Sequence, residues 1–174
     1  VSLKGMPTDK VSEKLKGNPG TDITVTVERN GKETDYTMKR EKIIIPPVPY
    51  FGMIDSKTGY IRFTNFTQGC IEDVKNALVA LKTSNPQQII LDLRGNPGGL
   101  LTEAVEIVNL FVSPGNDVVS TKGKVKQFDE DFKTTKAAVD EKIPMAVLIN
   151  RGSASAAEIV AGEIQDLDRG VIVG

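Results

Sequence analysis

Three short apolar runs do most to limit what this chain can fold into. They are "QIILDL" (Gln88–Leu93), "MAVLIN" (Met145–Asn150) and "GVIVG" (Gly170–Gly174). A strand with one wet face alternates apolar and polar residues; a strand covered on both faces is apolar almost throughout. These runs are of the second kind. Between them lie segments with helical spacing. "IEDVKNALVALKT" (Ile71–Thr83) places Ile71, Val74, Leu78 and Leu81 along one stripe. "LLTEAVEIVNLFV" (Leu100–Val112) and Ser155–Asp166 read as two further helices, and "TGYIRFTNF" (Thr58–Phe66) as a strand. Asp117–Phe132 reads as two polar edge strands. Strands alternating with helices over 58–174 predict a layered α/β domain with a mostly parallel sheet.

Upstream the pattern changes. "IIIPPVPYF" (Ile43–Phe51) holds three prolines and reads as an extended linker, so the chain divides into 1–42, a linker over 43–57, and 58–174. The first segment predicts a short initial strand, then a short helix within Pro7–Gly17 carrying Val11 and Leu15. A β-hairpin follows over Asp22–Glu41, with Ile23, Val25 and Val27 on one face. Asn30-Gly31 supplies the two positive-φ residues of a type I′ turn.

Lys and Arg number 22 and Asp and Glu 23, so there is no basic excess to attract nucleic acid. Tryptophan is absent and aromatics make up 5%, too few for a base-stacking platform. One cysteine and no histidine leave a zinc site without its usual ligands. No cofactor or metal is expected, and no apolar run reaches the length of a membrane span.

The chemistry concentrates in "NRGSASAAEIVAG" (Asn150–Gly162). A serine on a sharp strand-to-helix turn is where many hydrolases place a nucleophile. Such a serine needs a base, usually histidine, and this chain has none. A plainer reading is available: Ser155-Ala156-Ala157-Glu158 fits a capping box opening an apolar helix. The two readings are compatible, because a helix N-terminus also favours negative charge. "LRGNPGGLL" (Leu93–Leu101) admits three readings. It can be a simple turn, or a phosphate loop, although the G-K-S/T ending and the G-x-G-x-x-G spacing are both missing. It can also be a loop whose backbone amides form half of an oxyanion hole.

Taken together, "GNPGTDITVTVERNGK", "ILDLRGNPGGLL" and "VLINRGSASAAEIVAG", in that order, resemble the carboxyl-terminal processing peptidases, or tail-specific proteases. The resemblance runs through nearly the whole chain. It implies a ClpP/crotonase-like protease core preceded by a partial PDZ-like module. It also implies a serine endopeptidase that cleaves proteins near their C-termini with a Ser–Lys dyad, so that the lack of histidine is expected. Carried over residue by residue, the nucleophile falls on Ser155, with Ser153 a structural neighbour. Ala156 and one of Gly98 and Gly99 become the oxyanion-hole donors, and Glu158 and Asp166 become supporting acidic residues.

The family's lysine stands in a T-F/Y-G-K-G stretch about two dozen residues after the serine, and no such stretch occurs here. The N-terminal segment resembles only the second half of a PDZ domain. The chain is therefore expected to be part of a longer protease, inactive alone. Exposed lysines such as Lys122 or Lys124 would stay charged and could not serve as base. The implied partners are protein or peptide substrates held by their C-terminal tails; nucleic acid and membrane insertion are not implied, and an oligomer is compatible. The implied location is the bacterial cell envelope or periplasm. A non-catalytic peptide-binding scaffold is the alternative. A small-ligand carrier akin to the retinoid-binding repeats of the eye fits less well, given the intact "SASAAE".

Overall fold

The computed structural model describes residues 1–43 and 45–174, apart from the side chain of Phe128. Ile44, within the stretch read as a linker, lies outside the described residues. The chain forms two compact units, Val1–Ile45 and Pro46–Gly174, and each is described by itself.

In the first unit the expected initial strand is absent. Gly5 has φ 76° in a turn, the Met6 amide bonds back to the Leu3 carbonyl at 3.1 Å, and Pro7 has no amide to give to a ladder. Helix α1 (Thr8–Leu15) follows directly. Strands β1 (Asp22–Arg29) and β2 (Lys32–Lys39) pair antiparallel, with Ile23 opposite Met38 and Val25 opposite Tyr36. Asn30 and Gly31 take φ of 54° and 74°, as a type I′ turn requires. A concavity of about 980 Å³ is lined by residues between Val1 and Arg40.

The second unit is built on a five-stranded sheet. Its strands are β3 (Tyr50–Met53), β4 (Thr58–Arg62), β5 (Gln88–Asp92), β8 (Met145–Leu148) and β9 (Val171–Val173), adjacent in that order. Strand β3 runs antiparallel to β4, and the other neighbours are parallel. The stretch from Pro46 on therefore belongs to this unit and is not all linker. Pro46, Pro47 and Pro49 precede the edge strand "YFGM", where their missing amides cost no ladder bonds. Strands β6 (Asp117–Thr121) and β7 (Glu130–Lys133) pair only with each other, joined through a 3₁₀ turn at Lys126–Phe128. They form a separate ribbon and not edges of the main sheet.

The parallel order follows from the helices between strands. Helix α2 (Cys70–Lys82) connects β4 to β5, α3 (Leu101–Asn109) lies between β5 and β8, and α4 (Ala156–Asp166) connects β8 to β9. Ile61, Leu91 and Val147 face one another across three strands and are fully buried. Val74, Leu78, Ile107, Val108, Val160 and Ile164 cover them from the helices. Phe63 and Phe66 meet edge to face at 4.6 Å between ring centroids, just past the end of β4. Among the described residues no helix is long and apolar enough to cross a membrane.

Candidate active site

Strands β5 and β8 are parallel neighbours, so the loops that follow them leave the sheet at the same edge. Those loops carry the glycines and the serines. Side chains bind them together. The Asn150 Oδ1 accepts the amide of Gly152 at 2.9 Å within its own loop and that of Gly95 at 2.8 Å in the other. The Ser153 hydroxyl donates to the Leu93 carbonyl at 2.8 Å and accepts the Asn150 amide at 3.0 Å. The Ala154 amide reaches the Asn96 carbonyl at 3.0 Å. Ser153 is thus committed to holding the turn.

Ser155 differs. It is exposed, it sits one residue before α4, and its backbone has φ 56° and ψ −119°. Among the described residues the other non-glycine positions with positive φ are Asn30, Asn85 and Asp168, residue types that tolerate it. A serine held there is strained, of order 1–3 kcal/mol, and such strain clusters at functional turns. The Glu158 carboxylate accepts the Ser155 amide at 2.6 Å, one half of the capping box. The Glu158 amide lies against the Ser155 side chain, but its own bond, 2.8 Å long, goes to the Ser155 carbonyl. The Ser155 side chain makes no capping hydrogen bond, and the residue is exposed.

The glycine loop closes on this turn. Gly98 is buried with φ 91°, and a Cβ placed there would stand 2.6 Å from the Ala154 carbonyl oxygen, 2.8 Å from the Ala156 nitrogen and 2.8 Å from the Ser155 Cβ. Any larger residue would push the two loops apart. A Cβ on Gly99 would run into the Phe66 carbonyl. Ala156 is buried at the first position of α4, and its amide has no partner among the described residues. This is an orphan donor of a helix N-terminus, one residue after Ser155.

The structure brings together Ser155, Ala156, Gly98, Gly99 and Glu158. It does not bring Asp166 to them. Asp166 is the last residue of α4, about 16 Å along the helix axis from Ser155, exposed and with no side-chain hydrogen bond or ion pair among the described residues. Of the lysines, all are exposed except Lys82, which is half-buried and bonded to Asp140 at 2.7 Å. None hydrogen-bonds to Ser155 among the described residues. A groove of about 390 Å³ beside the turn is lined by Asn150, Ser153, Glu158 and Ala161, among others.

Two features of this edge escape the sequence reading. One is Asn96, fully buried inside the glycine loop. The other is Asp92, the fully buried last residue of β5. It accepts Arg62 Nη1 at 2.9 Å, Arg94 Nη2 at 2.7 Å and Nε at 3.0 Å, the Arg94 amide at 2.9 Å, and the Tyr60 hydroxyl at 2.5 Å. Burial alone would raise its carboxyl. The bonds from Arg94 and Tyr60, with the nearby Arg62 charge, outweigh that and hold it well below the usual carboxylate range. The signal in the sequence was a charge at the end of the apolar run "QIILD", which cannot be buried without partners.

Residues 57–174 match the family model described as Peptidase family S41. The chain belongs to peptidase family S41. A chain named as a CtpA-like serine protease in Staphylococcus saprophyticus is 38% identical over 177 residues, covering 99% of this chain and 35% of that one. Its counterpart in Staphylococcus epidermidis is 36% identical over 176 residues, with 99% and 35% covered. The chain thus spans about a third of the length of these relatives. Among solved structures, a photosystem II D1 C-terminal processing protease superposes with a TM-score of 0.67 at 26% identity, covering 99% of this chain and 48% of that one. An S41 protease from Bacteroides fragilis gives 0.67 at 20% identity, over 96% and 50%, a likeness of fold alone. The membership in the carboxyl-terminal processing peptidases implied by the motifs is borne out.

Proposed function

We propose that this S41 chain carries the nucleophile and oxyanion hole of a serine endopeptidase that cleaves protein substrates near their C-termini. The observation that carries the reading is the approach of Gly98 to the Ser155–Ala156 turn, which joins a strained, exposed serine to unpaired backbone donors. The Ser155 Oγ attacks the scissile carbonyl. The developing oxyanion is held by the Ala156 amide and by an amide of the Gly98-Gly99 pair, preorganised donors that need no rearrangement as charge forms. The Ser155 proton passes to a base, which then protonates the leaving amine. That base is a lysine in a T-F/Y-G-K-G stretch C-terminal to Gly174 in the full-length protease. A lysine serves only when burial keeps it neutral, and no lysine among the described residues is buried. Glu158 supports the turn by fixing the Ser155 amide.

Val1–Ile45, with its type I′ hairpin and edge strands, is proposed as part of a PDZ-like module that binds the substrate's C-terminal tail by strand addition. The likeness to the D1 C-terminal processing protease and to the CtpA-like proteases supports this reading. A cell-envelope location is part of the same proposal and is tested by fractionation of cells making the full-length protein.

The test of the chemistry is cleavage of an unfolded protein by the full-length protease. Ser155→Ala is expected to lower kcat by a factor of about 10⁴ or more. Ser153→Ala loses two structural hydrogen bonds and keeps measurable cleavage. Undiminished activity in Ser155→Ala would refute the assignment and favour a peptide-binding scaffold.

A further inference from the structure

We infer that Asn96 is a positioning residue of the oxyanion hole, and that by engaging the Gly98 amide it makes Gly99 the loop's donor to the substrate oxyanion. This inference rests on the proposed serine-peptidase chemistry.

The Asn96 side chain is fully buried and uses both ends. Its Oδ1 accepts the Gly98 amide at 2.9 Å, and its Nδ2 donates to the Phe63 carbonyl at 3.1 Å. Its backbone carbonyl accepts the Ala154 amide at 3.0 Å, and its own amide bonds Leu93 at 3.0 Å. One residue therefore joins the end of β4, the glycine loop and the serine turn. Its side chain ties the glycine loop to the end of β4, and its backbone carbonyl holds the serine turn.

The consequence for the loop amides is specific. The Gly98 amide faces a carboxamide oxygen and is occupied. The Gly99 amide has no hydrogen-bond partner among the described residues. Gly99 is exposed, whereas Gly98 is buried. The peptide between them has its carbonyl fixed, because the Phe66 amide donates to the Gly98 oxygen at 3.0 Å. The bond is trans, so its N–H points opposite to that carbonyl, away from Phe66. Gly98 stands against Ser155 and the Ala156 nitrogen, so this unpaired N–H begins one bond from the residue that packs on the nucleophile turn. Paired with the Ala156 amide, it completes a two-donor hole. Asn96 thus serves a structural need, satisfying a buried amide, and a catalytic one, leaving the neighbouring amide free and pre-aimed.

The test uses the full-length protease labelled with ¹⁵N-glycine and a peptide boronate, which forms a tetrahedral adduct on an active serine. On adduct formation the Gly99 amide resonance is expected to shift strongly and gain protection from exchange, while Gly98 stays protected throughout. A shift of Gly98 with Gly99 unmoved overturns the inference, even if no variant folds. Asn96→Leu and Asn96→Ser remove the bond to Gly98 in two ways, one filling the space and one leaving it to water. In folded variants kcat is expected to fall about 10- to 100-fold, less than the roughly 10²–10³-fold that loss of a hole donor costs, because the Gly99 donor is misaligned and not removed. KM and the affinity for an uncleaved peptide should stay nearly constant, and boronate affinity should fall with kcat. Equal loss of peptide and boronate affinity, or kcat within about twofold of the parent, reduces Asn96 to a structural role. Should the boronate form no adduct, or bind Ser155→Ala equally well, the serine-peptidase reading itself fails, an outcome distinct from the others.

Discussion

Val1–Ile45 and Pro46–Gly174 use the same pieces, strands and helices of similar length, to different ends. Every buried residue lies in the second unit; in the first, no described residue is buried. Helix α1 has eight residues, none buried, and both faces of the β1–β2 hairpin are largely wet. A short helix and a two-stranded hairpin are marginal in water without a packed face. The second unit turns comparable elements into a core by stacking three helices on a mostly parallel sheet. Local sequence pattern specifies elements in both units, alternation in the first and continuous apolar runs in the second, but burial supplies most of the stability of such elements. The proposed chemistry sits at the edge of that core, on the buried Gly98 and Ala156, because a misplacement of about 1 Å in a catalytic group can cost on the order of 100-fold in rate.

The contrast is most sharply broken or upheld by native-state hydrogen exchange. Amides in β4, β5 and β8 should exchange by global opening, and those of β1 and β2 by local fraying. The difference in rate is expected to be at least about 10³-fold, because opening energies run from near zero to the full stability of the domain. Comparable protection in the two sheets would mean that the first unit has a stabilising partner in solution.

Truncation of side chains gives the next largest effect. Phe63 is fully buried against Phe66, so Phe63→Ala should cost about 3–5 kcal/mol in urea unfolding. Tyr36 on β2 is 50% exposed, and Tyr36→Ala should change that same transition by less than about 0.5 kcal/mol. A large effect at Tyr36 would show the two units to be thermodynamically coupled.

What was legible in the sequence divides along similar lines. Strands β5, β8 and β9 were readable because a short continuous apolar run has few other uses in a folded chain. The Asn30–Gly31 hairpin was readable because its turn demands positive φ at two adjacent residues. The Ser155 turn was readable because the capping pattern and the strand before it are local. Strand β3 was hidden because three prolines announce extended chain but say nothing of pairing just beyond them. The β6–β7 ribbon reads as two edge strands, but that they pair with each other and not with the main sheet is a non-local property. Asn96 and Asp92 were invisible for the same reason: their partners Phe63 and Tyr60 lie about thirty positions away, and a buried polar residue is recognised by its partners.

Acid should separate the units further. Asp92 is held well below the usual carboxylate range, as burial is outweighed by Arg94, Tyr60 and Arg62. Asp140 is lowered from 3.8 to about 2, where burial is outweighed by the Lys82 bond and the Ile143 and Lys142 amides. A depressed folded value adds stability above the unfolded pKa, and that stability disappears as pH falls towards the folded value. The second unit should therefore lose stability progressively below about pH 4. Urea midpoints measured between pH 7 and pH 2 check this. Asp140→Asn, which removes one titration, should flatten the profile; an unchanged slope would exclude Asp140 as a contributor.

At Gly31 the expected effect is small and confined to the first unit, and its value is that it isolates backbone conformation from packing. Gly98 and Gly31 both have positive φ, 91° and 74°. A Cβ on Gly98 would collide with the serine turn, whereas one on Gly31 would meet nothing within 4 Å. Gly31→Ala therefore carries only the cost of placing an L-residue in the left-handed region, about 1 kcal/mol. In a unit with no buried residue there is no cavity or clash to add to it. Exchange of the β1 and β2 amides should accelerate roughly fivefold, with the thermal transition of the second unit unmoved. The readout is amide exchange of the hairpin alongside a thermal scan of the core in one variant. Unchanged hairpin exchange would mean that the turn at Asn30–Gly31 does not limit hairpin stability. A shifted core transition would mean that a wet hairpin, with no buried side chain of its own, nevertheless contributes to the stability of the sheet that carries Ser155.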